Sequence, residues 1–262
     1  MKIALTIAGS DSGGGAGIQA DLKTFNQFGV FGTSVITAIT AQNTRGVSAV
    51  HAIPPAIVAA QCAALAEDLP PDALKTGMLA DRALVRQVAG AVRGHGWGPL
   101  VVDPVMVATS GDRLLDIDAE AVVRDTLIPL AALVTPNLDE AALLVGRPVE
   151  TPDAMEQAGH DLVSLGAGAA LVKGGHLATG GPVVDVLVTR SAVRRFTHER
   201  IRTSSGHGTG CTLSAAVTAG LALGRPLERA VEDALSFVVR AMQTAPGLGS
   251  GSGPLNHTVP AS

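Results

Sequence analysis

Short apolar segments alternate with longer amphipathic segments along most of the chain. Residues 3–8 are apolar on both faces and predict a buried strand, whereas apolar residues recur at helical spacing over residues 18–28 and predict a helix. The same pattern predicts a helix after Pro54 and further strands at residues 34–40, 73–76, 100–102, 132–135 and 169–173. Strands that lack a polar face are typical of a parallel sheet that helices cover on both sides.

The last third of the chain predicts a hairpin followed by two long helices. Residues 183–188 and 193–196 flank a short polar turn, which favours a hairpin at the sheet edge, and residues 209–223 and 226–245 have helical length and spacing. Because no internal repeat or long linker interrupts this order, we predict one domain over residues 1–262. Its fold class is α/β: three layers, with a doubly wound, mostly parallel central sheet and helices on both faces. Ligands should collect at the carboxyl ends of the strands.

Composition narrows the possible partners and location. The chain has 262 residues, of which 47% are hydrophobic and 2% aromatic, and its net charge is −4. With so few aromatic residues and no basic run, it is not expected to bind nucleic acid. No stretch approaches the roughly 18 apolar residues of a membrane span. Two cysteines are too few for a secreted disulfide framework and no leader precedes the first apolar segment, so we expect a cytoplasmic protein.

A glycine-rich segment, residues 8–17, lies between the first strand and the first helix. Such a segment can hold an anion at a helix N-terminus. Gly15, Gly17 and Ala20 have the spacing of a dinucleotide-binding fingerprint, but the acidic residue expected about 20 positions later is missing. A flexible turn is the plainer interpretation. No lysine follows a glycine anywhere in the chain, which excludes a Walker A loop.

A second glycine-rich segment, residues 204–212, comes directly before a helix of small residues. Its glycines allow successive backbone N–H groups to point at one place, and the helix dipole adds positive potential there, so the segment predicts an anion cradle. Cys211 falls in the first helical turn, where we expect a lowered thiol pKa and a role as base or nucleophile. A small buried cysteine beside an ordinary helix start is the alternative.

Polar residues also follow three of the predicted strands. Asp103 follows one strand, and Asn137 and Glu140 follow the next with the spacing that places both on one face of a helix, as a hydrated Mg²⁺ site requires. The same pair has the spacing of a helix-capping box, which is the alternative interpretation. Lys173 follows a further strand and could neutralise a phosphate or simply face solvent.

Eight short motifs stand in a fixed order over nearly the whole chain. They are residues 8–11 with 13–23, 40–44, 75–79, 103–106, 135–137 with 140–141, 173–176, 208–212 and 253–257. In this order they resemble the hydroxymethylpyrimidine and phosphomethylpyrimidine kinases of thiamin biosynthesis, which have the ribokinase-like fold. The resemblance implies an enzyme that uses ATP and Mg²⁺ to phosphorylate 4-amino-5-hydroxymethyl-2-methylpyrimidine and then its monophosphate at one site. It also implies a homodimer.

The resemblance assigns roles to particular residues. Gln42 would hydrogen-bond the aminopyrimidine, and Gly9, Met78 and Val105 would line its pocket. The transferring phosphoryl group would meet an anion hole of Gly208, Thr209 and Gly210, and Cys211 would occupy the position of the catalytic aspartate in sugar kinases of this fold. Lys173 and Thr209 would approach the ATP phosphates. Mg²⁺ would be organised, partly through water, by Asp103, Asn137 and Glu140.

The sequence departs from the family pattern at two places. The family usually has Asn-Thr-His before the anion hole, whereas this chain has Ser205, Gly206 and His207, which should loosen the loop. Ser252 stands where a histidine is common, so we expect no catalytic role for the tail. Two other functions stay open, a pyridoxal kinase of the same fold and a pyrimidine-binding sensor without catalysis. Gln42 favours the pyrimidine because its amide offers a donor and an acceptor together.

Overall fold

The computed structural model describes residues 1–106, 114–175, 177 and 181–261. The strands are β1 (Ile3–Asp11), β2 (Phe31–Asn43), β3 (Gly46–Ala52), β4 (Ala73–Thr76), β5 (Leu100–Val102), β6 (Leu133–Val134), β7 (Ala169–Val172), β8 (Val183–Thr189) and β9 (Val193–His198). The helices are α1 (Gly17–Gln27), α2 (Pro55–Asp68), α3 (Arg82–His95), α4 (Ile117–Val122), α5 (Leu138–Val145), α6 (Pro152–Ser164), α7 (Thr209–Ala222) and α8 (Leu227–Gln243). After α4 the chain continues through a π-helical and a 3-10 turn to Leu130.

The strands of the described residues form one sheet in the order β3-β2-β1-β4-β5-β6-β7-β8-β9. The six strands from β2 to β7 in this order are parallel, while β3, β8 and β9 are antiparallel to their neighbours. The strand order reverses at β1, because β2 lies on one side of it and β4 on the other. This topology confirms the predicted doubly wound fold and places a ligand crevice beside the carboxyl end of β1.

Helices cover both faces of the sheet. Adjacent residues of one strand enter different cores: Val101 of β5 packs with residues of α1, α7 and α8, whereas Val102 packs with residues of α2, α3 and the helical turns after α4. Since both faces of the central strands are buried, these strands consist mainly of apolar residues, and the polar ones among them, such as Thr6 and Lys75, are themselves buried. In the described part of the chain, no helix has the length and apolarity needed to cross a membrane.

The hairpin prediction is confirmed, and one strand was not predicted. The segments at 183–188 and 193–196 become β8 and β9 at the edge of the sheet. At the opposite edge, β2 runs well beyond the predicted residues 34–40 and turns back into β3. Most β3 side chains are exposed, so β3 has none of the buried alternation by which a strand is recognised in sequence.

Candidate active site

A cavity of about 450 Å³ opens at the carboxyl edge of the sheet, beside the point where the strand order reverses. The ends of β1, β2, β4 and β5, the segments after β6 and β7, and the first turn of α7 all contribute to its wall. Every site residue predicted from the sequence lines this cavity: Gly9, Gln42, Met78, Asp103, Val105, Asn137, Glu140, Lys173, Gly208, Thr209, Gly210 and Cys211. The structure thus brings all twelve together, while their individual roles stay predictions.

Local irregularities of β1 and β2 shape one end of the cavity. The pairing register of β2 with β3 shifts between Ala41 and Gln42, because β3 has one extra residue, Ser48, at this point. A second shift occurs in β1 around Gly9. A Cβ at Gly9 would lie 3.1 Å from the sulfur of Met78, so a glycine lets this wall approach closely.

The glycine-rich loop after β1 is organised by its own aspartate. Asp11 accepts hydrogen bonds from the backbone N–H groups of Gly13 (2.7 Å), Gly15 (3.0 Å) and Ala16 (2.9 Å), and from His207 Nε2 (2.9 Å). Burial acts to raise the pKa of Asp11, but these hydrogen bonds outweigh it and lower the pKa. Asp11 therefore already uses three N–H groups of the loop, which leaves fewer of them for a ligand.

The second glycine-rich segment starts α7 at the opposite wall. Gly208 has a φ of 84°, and a Cβ there would overlap the carbonyl oxygen of Gly15, so only glycine fits. Among the described residues no side chain caps α7, and the Thr209 N–H makes a long hydrogen bond of 3.4 Å to the Gly206 carbonyl. The first turn of α7 lines the cavity. This geometry suits an anion, as the sequence predicted.

Cys211 lies in the first turn of α7 and is half-buried at the cavity wall. Burial raises the pKa of its thiol to about 11, although the Lys75 ammonium and a hydrogen bond from the Gly17 N–H act in the opposite direction. The expected lowering of this pKa is therefore wrong: proximity to a helix N-terminus is outweighed by loss of water and by the carboxylates of Asp21 and Asp103.

Two carboxylates and one ammonium form a charged cluster at the cavity floor. Asp103 accepts hydrogen bonds from Lys173 Nζ (3.1 Å), Thr135 Oγ1 (3.2 Å) and Ser214 Oγ (3.2 Å). Glu140 lies 4.0 Å from the same ammonium. Burial opposes the charge of Asp103, but Lys173 lowers its pKa, whereas burial raises the pKa of Glu140 to about 7 despite Lys173. Lys173 is largely buried here, so it does not simply face solvent.

Asn137 and Glu140 form a capping box at the start of α5. The Asn137 side chain accepts from the Glu140 N–H (2.9 Å), and Glu140 accepts from the Asn137 N–H (2.8 Å). The capping interpretation is thus confirmed, and it occupies oxygens that the metal interpretation also needs. In the described residues no three His, Cys, Asp or Glu side chains are grouped as a metal site. His176, at the end of its motif, lies outside the described residues.

Comparison with known proteins decides the family. The model of the phosphomethylpyrimidine kinase family matches residues 11–256. The chain belongs to this family. It is therefore a kinase, which sets aside the interpretation as a sensor without catalysis.

Two relatives of known name are similar to this chain over nearly its whole length. The chain is 52% identical over 258 residues to the hydroxymethylpyrimidine/phosphomethylpyrimidine kinase of Rhizobium meliloti (strain 1021), covering 97% of this chain and 96% of that protein. It is 48% identical over 98% of its length to the thiamine biosynthesis bifunctional protein ThiED of Geobacter sulfurreducens, of which it spans only 52%.

Two solved structures resemble the fold. The crystal structure of phosphomethylpyrimidine kinase from Clostridium difficile 630 has a TM-score of 0.83 and 42% identity, covering 92% of this chain and all of that chain. The ADP complex of Bacillus subtilis pyridoxal kinase has a TM-score of 0.92 and 37% identity, covering 98% of each chain.

The tail of this kinase supports the anion-hole segment. The carbonyl of Gly253 accepts from the His207 N–H (3.1 Å), and His257 Nε2 lies 2.9 Å from Thr212 Oγ1 inside the first part of α7. Gly206 lacks the side chain usual in the family, but its carbonyl accepts from Thr209 Oγ1 at 2.7 Å. These bonds link the segment to the tail and to the first turn of α7, while the loosening expected from Gly206 stays a prediction.

The sequence reasoning assigned no role to three buried charged or polar residues at the site: Asp11, Lys75 and His207. Each belongs to or borders a predicted motif, yet each acts through a partner far away in the chain. Asp11 and His207 are 196 positions apart, and Lys75 pairs with Asp21 54 positions earlier. No spacing rule could have found these pairs, although an aspartate inside a glycine-rich loop is a usable signal for a loop that binds its own carboxylate.

Proposed function

We propose that this kinase phosphorylates the hydroxymethyl group of 4-amino-5-hydroxymethyl-2-methylpyrimidine and then the resulting monophosphate, in thiamin biosynthesis. One observation carries the proposal: a single cavity is lined by the uncharged side chains of Gln42 and Met78 and also by the Lys173 ammonium and the N-terminus of α7. The uncharged side chains suit an aminopyrimidine, and the ammonium with the helix N-terminus suits phosphate. The names of the relatives from Rhizobium meliloti and Geobacter sulfurreducens support this assignment.

ATP is the proposed phosphoryl donor, in line with the ADP complex of the Bacillus subtilis pyridoxal kinase. Lys173 and Thr209 would contact its phosphates, and the N–H groups at Gly208, Thr209 and Gly210 would stabilise the charge on the transferring group. A Cβ at Gly210 would lie 3.2 Å from Lys173 Nζ, so ammonium and helix N-terminus border the same space. Phosphoryl transfer needs such positioning and charge neutralisation more than covalent catalysis.

Mg²⁺ fits the charges of the site as a mostly hydrated ion. The Asp103 and Glu140 carboxylates both lie near the Lys173 ammonium, and Asp103 helps to raise the pKa of Glu140, so a cation that replaced the Glu140 proton would be balanced by the two carboxylates. Mg²⁺ usually keeps several waters and binds one or two protein carboxylates together with phosphate. We propose that Asp103 and Glu140 hold it, with Asn137 contributing beside its capping bond, and that it would neutralise phosphate charge.

Cys211 is the proposed acceptor of the proton that the attacking hydroxyl loses. Its sulfur lies at the cavity wall beside the anion hole, and the Lys75 ammonium stabilises its thiolate form. Because the thiol pKa is about 11, only a small fraction is thiolate at neutral pH. A base role therefore predicts a pH-dependent first step.

A pyridoxal kinase is the second candidate, because the pyridoxal kinase of Bacillus subtilis has the same fold over 98% of this chain. To test both, purified protein is incubated with ATP, Mg²⁺ and either the hydroxymethylpyrimidine or pyridoxal, and products are identified by mass. We expect the pyrimidine monophosphate followed by the diphosphate. Phosphorylation of pyridoxal alone would favour the second candidate, and no phosphorylated product from either substrate would contradict both.

We also propose a homodimer in the cytoplasm. Ile39 of β2 and Val50 of β3 are apolar side chains that are about half exposed, with values of 51% and 46%, on the antiparallel pair at the sheet edge. Exposed apolar residues on a strand pair at the edge of a sheet favour association with a second copy. Sedimentation equilibrium of the purified protein measures the mass directly, and a monomer at micromolar concentration would contradict the proposal.

A further inference from the structure

A hydrogen-bonded chain runs from the glycine-rich loop to the substrate end of the cavity. Asp11 Oδ2 lies 2.9 Å from His207 Nε2. The Gln42 side chain, as placed, has its Nε2 3.3 Å from the same ring nitrogen and its Oε1 3.1 Å from Thr40 Oγ1. Thr40 Oγ1 lies 2.9 Å from the carbonyl oxygen of Ser10. The chain therefore holds both ends of the amide that faces the pyrimidine pocket.

The direction of each hydrogen bond follows from the groups at its two ends. The Asp11 carboxylate already accepts from three backbone N–H groups and, when ionised, can only accept, so His207 Nε2 must carry a hydrogen and donate to it. A carbonyl also only accepts, so the single hydroxyl hydrogen of Thr40 goes to Ser10. The one hydrogen on His207 Nε2 thus points mainly to Asp11 and can be shared with Gln42 at the longer distance, whereas Thr40 Oγ1 offers a lone pair.

These directions allow only one orientation of the amide. With its NH₂ group beside His207, two donors would face each other, and Thr40 would need a second hydrogen. With its oxygen beside His207 and its NH₂ group beside Thr40, no two donors face each other: the oxygen shares the His207 hydrogen with Asp11, and the NH₂ group donates to Thr40. The nitrogen and oxygen of an amide are assigned from this kind of accounting. The Gln42 oxygen accordingly belongs at the His207 end.

We propose that Asp11 and His207, together with Thr40, are positioning residues that fix the amide orientation of Gln42 and thereby set the choice of ring substrate. The proposal rests on the proposed function, in which Gln42 binds the aminopyrimidine. A fixed amide keeps its remaining lone pair and its second N–H at set positions toward the ring of the substrate. A 4-aminopyrimidine offers a donor on its amino group and an acceptor on ring N3. It therefore pairs with one orientation of the amide, whereas in the other orientation donor meets donor and acceptor meets acceptor.

The placement of these residues explains why the arrangement is rigid. Asp11 is 3% exposed, and Thr40 is 4% exposed. A Cβ at Gly15 would lie 2.8 Å from His207 Cδ2, so the imidazole packs directly on the glycine-rich loop. The backbone of His207 is held by Gly253 of the tail. An amide between such partners cannot rotate without leaving a polar group unpaired.

The test uses a substrate with the opposite hydrogen-bonding edge. In the 4-oxo analogue, the amino group is replaced by oxygen and ring N3 carries a hydrogen, so donor and acceptor are exchanged. We measure kcat/KM for the amino and oxo compounds and take their ratio as the discrimination. For the unmodified enzyme we expect a ratio of about 100 or more, because a site that hydrogen-bonds one edge leaves polar groups unpaired with the other.

His207→Leu removes the donor at one end of the amide, and Thr40→Val removes the acceptor at the other without changing side-chain volume much. Each change should lower the discrimination about tenfold, since the amide can then turn to fit either compound. The Lys23→Met control removes a contact with the Gly14 carbonyl on the outside of the same loop, and should leave the ratio unchanged. A merely structural role would lower kcat/KM for both compounds equally and keep the ratio constant.

The outcomes separate this proposal from the proposed function. If the unmodified enzyme does not phosphorylate the amino compound, the proposed function fails and this inference with it. If it does so but discriminates poorly, or if both variants fold and keep the original ratio, the orientation proposal alone is overturned. Should His207→Leu not fold, Thr40→Val decides by itself, because it breaks the same arrangement from β2.

Discussion

Lys75 Nζ lies 3.0 Å from Asp21 Oδ1, and neither side chain is accessible to solvent. The second oxygen of Asp21 accepts from Thr6 Oγ1 at 2.6 Å, so the pair joins α1, β4 and β1 beneath the cavity. Although burial opposes a charge on Lys75, the Asp21 carboxylate raises the pKa of this ammonium and keeps it protonated. A fixed positive charge therefore lies close to Cys211 and Asp103.

Lys75→Met should destabilise the protein by about 3–5 kcal/mol, because it leaves the Asp21 carboxylate buried without a counter-charge. Urea unfolding measures the change. Adding Asp21→Asn to this variant should recover much of the loss, since no buried charge then remains. The matched control is Lys2→Met, which breaks an ion pair with Asp72 that is partly exposed and should cost less than about 1 kcal/mol. Equal losses in Lys75→Met and Lys2→Met would contradict the prediction.

Glu140→Gln should change how stability depends on pH. Burial raises the pKa of Glu140 from 4.5 to about 7, so between these pH values the folded protein binds a proton that the unfolded chain does not. The unfolding free energy therefore falls as pH rises through this window, and Glu140→Gln should remove that fall. Urea unfolding at pH 4.5 to 8 measures it.

The same variant distinguishes the two roles of Glu140. Loss of a carboxylate should raise the Mg²⁺ concentration needed for half-maximal activity, while the fold is kept. If the Mg²⁺ titration is unaltered and only stability changes, Glu140 serves as a capping residue and contributes nothing to the metal.

Gly208→Ala should lower kcat by about 100-fold, the typical effect of losing one donor to a developing negative charge. The new Cβ would overlap the Gly15 carbonyl, and alanine rarely adopts the φ of 84°, so the first turn of α7 must shift. Gly206→Ala is the control in the same segment: a Cβ there meets only open space. Steady-state kinetics compare the two, and similar effects in both would argue against an anion hole at Gly208.

The sheet could be predicted from the sequence because its residues carry the signal locally. The buried strands are short apolar segments, and each predicted site residue on the sheet follows one of them, so the topology alone brings Asp103 and Lys173 to one edge. β3 gave no such signal because its side chains are exposed and its pairing with β2 is the only reason it is extended.

The electrostatics of the site could not be predicted in the same way. A helix N-terminus lowers a thiol pKa, but at Cys211 the outcome depends on how much water the fold excludes and on carboxylates contributed by α1 and β5. Similarly, the sequence alone does not show that the N–H groups of the glycine-rich loop already have a partner. Only the fold shows that Asp11 takes three of them.

The proposed base role of Cys211 predicts different pH profiles for the two phosphorylations. With a thiol pKa of about 11, the thiolate fraction rises about tenfold per pH unit below that value, so the rate of the first step should rise between pH 7 and 9. In the second step the nucleophile is a phosphate oxygen that is already largely ionised near pH 7, so a base contributes little there. Single-turnover rates of each step, measured at several pH values, give both profiles.

Cys211→Ala should therefore slow the first step by about 10²–10⁴-fold, the usual contribution of a general base, and the second step far less. Cys211→Asp should partly restore the first step and flatten its pH profile, because a carboxylate is ionised well below a thiol with a pKa of about 11. Cys62→Ala makes the same change at a cysteine buried in α2 away from the cavity, and should leave both rates unchanged. Equal slowing of both steps in Cys211→Ala would instead make Cys211 a packing or anion-hole residue, and full activity would remove it from the proton transfer.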